Sequence, residues 1–136
     1  MTNLNPDIFW LTLTILMTSL FWVPYIINRM YEHGVWSALY NPQPDTRPKA
    51  QWAERMMKAH ENAIENLVLF STLVLTVEIL QIGSHTTALA CAIYFFSRLA
   101  HFTLYSLRVP LLRTITFLIG WICQIVIGLS ILRITW

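Results

Sequence analysis

Glu54-Arg55-Met56-Met57-Lys58-Ala59-His60-Glu61-Asn62-Ala63-Ile64-Glu65 leads, after Asn66, into a 14-residue apolar run at 67–80. A helix needs about 20 mostly apolar residues to cross a bilayer. The run is too short by itself, so the sequence predicts a helix that extends back through the polar stretch 51–66. Three other stretches are long enough alone. Residues 8–27 carry no charge, and Pro24 predicts a kink near their end. Residues 86–107 are interrupted by Arg98 and His101, and 115–134 form the last run. The reading is one all-α integral membrane domain over 1–136, a four-helix bundle with spans near 8–27, 62–80, 86–107 and 115–134.

Composition agrees. Of 136 residues, 56% are hydrophobic and only 12% charged, with a mean hydropathy of +0.54. A water-soluble domain carries about a quarter charged residues. The net charge of +2 is too small, and the cations too scattered, for a nucleic-acid surface. Cys91 and Cys123 lie in apolar runs and are expected to be core fillers. No CxxC, H-x-x-H or carboxylate cluster suggests a metal site. The first span is not expected to be a signal peptide, because Asp7 is the only charge before it and no small-residue cleavage site follows.

The connections set the topology. Residues 81–85 form a short turn, 28–50 a long polar loop, and 108–114 a link broken by Pro110. Pro48 is expected in the first turn of the second spanning helix, with Asp45 or Thr46 as its cap. Arg29, Arg47, Lys49, Arg55, Lys58, Arg98, Arg108 and Arg113, eight of the nine basic residues, fall on one side, and Arg133 on the other. The positive-inside rule then places both termini outside the cytoplasm, in the plasma membrane if the source is bacterial.

Two polar stripes reach into the membrane from the basic side. At 100° per residue, Arg55, Lys58, Asn62, Glu65 and Asn66 share an arc of about 100° on the second span, and Tyr94, Arg98, His101, Tyr105 and Arg108 a similar arc on the third. Arg98 and Glu65 lie at similar depth, so an ion pair between them is expected to bury both charges. Glu78, isolated near the other end, is expected to be a snorkelling interface residue. Polar stripes can serve only as helix glue. A cationic membrane mouth also suits an anionic ligand, and cations there would favour a bound thiolate.

These residues resemble the MAPEG family, the membrane-associated proteins in eicosanoid and glutathione metabolism. Glu54-Arg55-x-x-Lys58-Ala59-His60-x-Asn62-x-x-Glu65 matches the family's E-R-x-x-R-A-H-x-N-x-x-E segment. Arg98-x-x-His101-x-x-x-Tyr105, Arg108-x-Pro110 and Arg113-Thr114 support it. The resemblance implies a homotrimer of four-helix bundles binding glutathione between neighbouring subunits near the cytoplasmic face. Carried over by position, it implies Arg55, Lys58, Asn62, Glu65, Arg98, His101, Tyr105 and, more weakly, Arg29 as glutathione-binding residues, and Arg113 as the catalytic, thiolate-stabilising residue. Lys58 stands where well-studied members have arginine, Glu61 where some carry a cation, and Phe117 where some carry a tyrosine.

The leading functional expectation is a membrane-embedded, glutathione-dependent enzyme of transferase or peroxidase type. Its lipophilic electrophile would arrive from the bilayer. The alternative is a non-catalytic membrane protein binding a small anion or lipid head group at the same basic cytoplasmic mouth. A small transporter fits less well, since the outer halves of the spans offer only Glu78 as a pathway charge.

Overall fold

The computed structural model describes residues 4–40 and 47–134. Within them the protein is all-helical: α1 (Pro6–Leu20), α2 (Val23–His33), α3 (Val35–Leu39), α4 (Gln51–Ile79), α5 (His85–Ser106) and α6 (Pro110–Ile134). Four helical stretches, Pro6–His33, Gln51–Ile79, His85–Ser106 and Pro110–Arg133, are long and apolar enough to cross a membrane. The chain is therefore built as a multi-pass integral membrane protein. Both described termini lie at one end of the bundle. The start of α4 and the α5–α6 turn lie at the other, the loop end.

The break between α1 and α2 has a direct cause. Pro24 has no N–H to give the Leu20 carbonyl, and its ring crowds that turn. The chain turns at Phe21, whose N–H falls back to the Thr18 carbonyl at 3.2 Å, and restarts at Val23. α4 is one 29-residue helix, about 43 Å at 1.5 Å per residue, and the 67–80 run is its far half. α6 begins at Pro110 rather than near 115. Proline suits the first helical turn, so Pro110 starts the helix instead of breaking a loop. The link shrinks to 107–109, with Arg108 at φ 61°.

The start of α4 differs from expectation. The proposed caps Asp45 and Thr46 lie outside the described residues, and Pro48 precedes the helix instead of opening it. The two residues just before α4 are instead held from a distant element. The Glu32 carboxylate on α2 accepts from the Lys49 and Ala50 N–H groups, each at 3.0 Å, and from Asn28 Nδ2 at 2.8 Å. A negative charge at a helix N-terminus is favourable, and here it ties the long connection back to α2.

α1 and α6 each pack against both α4 and α5. Ala53, Ala59 and Ala63 lie buried on α4, and such small residues let membrane helices approach closely. Towards the loop end, Phe21 stacks on Phe102 with ring centroids 3.7 Å apart. Towards the termini, Phe70 stacks on Tyr94 at 3.7 Å within a cluster that includes Leu11, Val74, Cys91, Cys123 and Ile127. Both cysteines are free and buried.

At the termini end, the N-termini of α1 and α5 meet around Asp7. Asn5 caps α1 through the Asp7 N–H, and Ser84 with Thr87 forms a capping box on α5. The buried Asp7 carboxylate accepts from Thr87 Oγ1 at 3.3 Å and from the Cys91 thiol at 3.6 Å. One acidic group thereby serves two positive helix ends. A Cβ on Gly83 would come within 2.9 Å of Asp7 Oδ2, which explains a glycine in this turn. Asn5 also donates to Glu78, so Glu78 is a partner in this junction.

Candidate functional site

The site sits at the loop end, where α4, α5 and α6 converge. Arg98 on α5 is the deepest charge and only 3% exposed. Its Nη2 donates to Asn62 Oδ1 at 2.7 Å and approaches the Asn62 backbone carbonyl at 3.4 Å. The guanidinium carbon lies 5.7 Å from the Phe117 ring centre on α6. Among the described residues, Arg98 Nε is the one fully enclosed side-chain polar atom without a hydrogen-bond partner.

This arrangement corrects the expected Glu65–Arg98 ion pair. Glu65 is exposed and forms no salt bridge with a described residue. The depth estimate fixed height but not azimuth. The buried face of α4 is set by Ala59, Ala63, Phe70, Val74 and Val77. Glu65 points roughly 150° away from the centre of that face at 100° per residue, whereas Asn62 lies at its edge. Asn62 therefore takes Arg98.

One turn beyond, a second group forms. His101 is buried, and its Nδ1 lies 2.7 Å from the Arg113 backbone carbonyl. A carbonyl can only accept, so Nδ1 carries the hydrogen and Nε2 of the neutral ring keeps a free lone pair. The His101 ring lies 5.8 Å from Tyr105 and 5.7 Å from Phe117. The Arg113 guanidinium stands over the Tyr105 ring, 4.8 Å from its centre, and makes no hydrogen bond or ion pair with a described residue. Because α6 starts at Pro110, Arg113 is held in its first turn, with its N–H on the Val109 carbonyl at 3.2 Å.

Asn62, Arg98, His101, Tyr105 and Arg113 thus form one connected group, with Phe117 joining Arg98 to His101. The other candidates stand apart from it. Arg55 Nε donates to the Ser106 carbonyl at 3.0 Å and so caps the end of α5. Exposed Lys58 pairs with Glu54 at 3.0 Å, one turn away. Arg29, half-buried on α2, has no hydrogen bond to a described residue. Arg108 is exposed after the end of α5.

Sequence reasoning missed Gln124. It is 6% exposed on α6, and its Nε2 donates to the Asn66 backbone carbonyl at 3.2 Å and to Tyr94 Oη at 3.4 Å. A glutamine alone inside the apolar run 115–134 was the available signal, since polar side chains within a span turn towards partners. Among the described residues, no group of three or more His, Cys, Asp or Glu is placed to hold a metal ion.

Chemically, the mouth presents charged groups of both signs. The uncommitted Arg113 guanidinium and the solvent-facing Lys58 suit anions, and the unpaired Glu65 carboxylate suits a cation. Comparison with protein families gives a match between residues 8–133 and the sequence model of the MAPEG family. No curated protein matches the chain.

Proposed function

The chain belongs to the MAPEG family, and from that premise we propose a membrane-embedded, glutathione-dependent enzyme of transferase or peroxidase type acting on a lipophilic electrophile. Family membership relates the chain to membrane proteins of glutathione and eicosanoid metabolism. The observation that carries the catalytic reading is the Arg113 guanidinium, fixed over Tyr105 with its N–H groups uncommitted at the membrane mouth.

In this reading glutathione supplies the nucleophilic sulfur. Arg113 holds the negative charge of the sulfur, because a guanidinium keeps its proton at any working pH. His101 fixes the first turn of α6 through the Arg113 carbonyl, and Tyr105 supports the guanidinium from below. Asn62, oriented by Arg98, presents its remaining amide N–H groups to the peptide. Arg55, Lys58 and Arg29 bind carboxylates, and Glu65 the ammonium group. The outward positions of Lys58, Glu65 and Arg29 fit a site completed by a neighbouring subunit, in a homotrimer. Both termini lie outside the cytoplasm, so glutathione enters from the cytoplasm and the electrophile from the bilayer.

Direct titration of glutathione onto the detergent-solubilised protein, followed by turnover of an activated aryl halide, tests the function. Saturable binding with turnover is expected. Binding of acidic lipid without glutathione binding would establish the non-catalytic head-group reading instead. For the topology, protease added outside intact cells or spheroplasts is expected to remove tags at Met1 and Trp136. Protection of both tags would refute it.

A further inference from the structure

Tyr31 at the end of α2, with Trp36 and Tyr40 in and after α3, are 90%, 82% and 77% exposed. They are three of the four most exposed large apolar or aromatic side chains among the described residues. Neither α2 nor α3 has a buried residue. Gly34, at φ 81°, ends α2 and starts α3, so the chain leaves the line of the first span there. α3 keeps helical bonds of its own, from the Ala38 N–H to the Gly34 carbonyl at 3.1 Å and from the Tyr40 N–H to the Trp36 carbonyl at 2.9 Å. At 100° per residue, Val35, Trp36, Leu39 and Tyr40 share an arc of about 140°, and all four are exposed. α3 packs against α2, and its apolar face points away from the bundle.

Depth identifies the cover for that face. The apolar run 8–27 makes about 30 Å of helix, which fills the hydrocarbon core. Tyr31 lies one turn past Ile27 on the same side of α2, about 6 Å further along. The headgroup layer on each side of the core is about 5–8 Å thick. Gly34 breaks the helix about 10 Å past Ile27, where a long Trp or Tyr side chain still reaches the headgroups. Trp and Tyr join an apolar body to a polar tip, and they collect in that layer. A cation stands beside them. Glu32, next to Tyr31, accepts from the Lys49 N–H at 3.0 Å, so exposed Lys49 is held against the end of α2 and suits lipid phosphates.

We propose that α3 and Tyr31 form an interfacial foot, with the Trp36 and Tyr40 rings, flanked by Val35 and Leu39, seated in the lipid headgroup layer at the loop end. The foot fixes the end of α2. Through the Glu32 carboxylate on the Lys49 and Ala50 N–H groups it also fixes where α4 enters the membrane. α4 carries Arg55, Lys58 and Asn62, so the foot sets the height of the mouth over the bilayer. The foot does not depend on the thiol chemistry proposed above.

The test uses the full chain in nanodiscs, with lipids brominated either near the headgroup or at the chain end, and with iodide in the water. The chain has six tryptophans, so the Trp36 signal is read as the wild type minus Trp36→Phe. Trp36 is largely exposed, and this variant is expected to fold as the wild type does. Shallow bromines are expected to quench the Trp36 signal more strongly than deep bromines or iodide. Quenching that is strongest with iodide, as for a segment in water, overturns the proposal, and so does quenching that is strongest with deep bromines. Absence of quenching by all three, as when a neighbouring subunit covers the face, overturns it as well. Hydrogen exchange in the same nanodiscs reads the link to α4. Trp36→Ser combined with Tyr40→Ser is expected to speed exchange at the Lys49 and Ala50 amides by about five- to tenfold, while amides in the middle of α4 keep their rates. Unchanged exchange at Lys49 and Ala50 would overturn that link.

Discussion

If the proposed thiol transfer is the activity, Arg113→Ala is expected to lower its rate by about 10²–10³-fold, the usual cost of removing one charge-stabilising donor, while largely sparing glutathione affinity. The asymmetry follows from geometry. Arg113 reaches α5 only through the face of Tyr105 among the described residues, and its helical turn is held independently through its backbone, by the Val109 carbonyl and the His101 side chain. Removing the side chain leaves that scaffold and, in the proposed reaction, deletes only the charge that would face the sulfur. Arg113→Lys keeps a charge but loses the planar set of N–H groups, so an intermediate rate is expected. Stopped-flow turnover with an aryl halide and the thiolate absorbance of bound glutathione near neutral pH measure both effects. Wild-type turnover with an undiminished thiolate signal in Arg113→Ala would reduce the residue to a cytoplasmic-side anchor of α6.

Asn62→Leu is expected to destabilise the detergent-solubilised protein by about 2–3 kcal/mol, because it strips the partner from a buried guanidinium. Arg98 has no carboxylate to fall back on, and its Nε is already without a partner. Arg98→Met is expected to cost less than Asn62→Leu, since it removes the charge along with the contact. In the double variant the orphaned cation is gone, so the two changes are expected to be non-additive by about 1–3 kcal/mol. Glu65→Gln, on the outward face, is expected to leave the monomer's thermal stability within about 0.5 kcal/mol. Thermal unfolding of the four variants decides it. Additivity of Asn62→Leu with Arg98→Met, or a large loss in Glu65→Gln, would overturn the assignment of Asn62 as the partner.

The contrast between these residues shows what could be read from the chain alone. Span length and helical periodicity are local, one-dimensional properties. A 14-residue apolar run cannot cross a bilayer, so 67–80 implied the long helix that α4 is, and Pro24 implied a kink near the end of the first span because it has no N–H for the carbonyl four residues before it. The resemblance carried by Glu54 to Glu65 and by Arg98, His101 and Tyr105 was equally a property of sequence, and the match over residues 8–133 confirms the family. Which polar groups meet is not local. It depends on the rotation of α4 about its axis, set by Ala59, Ala63 and Phe70 seeking the bundle interior, and a few tens of degrees there exchange Glu65 for Asn62. The same holds where Glu32 reaches across the long connection to α4, where Asp7 serves two helix ends, and where Gln124 turns its amide between α4 and α5. Each joins residues far apart in sequence. Sequence alone determined that four helices are long and apolar enough to cross a membrane, because burial of apolar surface and backbone hydrogen bonding act along the chain. Tertiary structure decided the partners of the buried polar groups, because in a membrane those groups must find them across helices, and only packing fixes which faces touch.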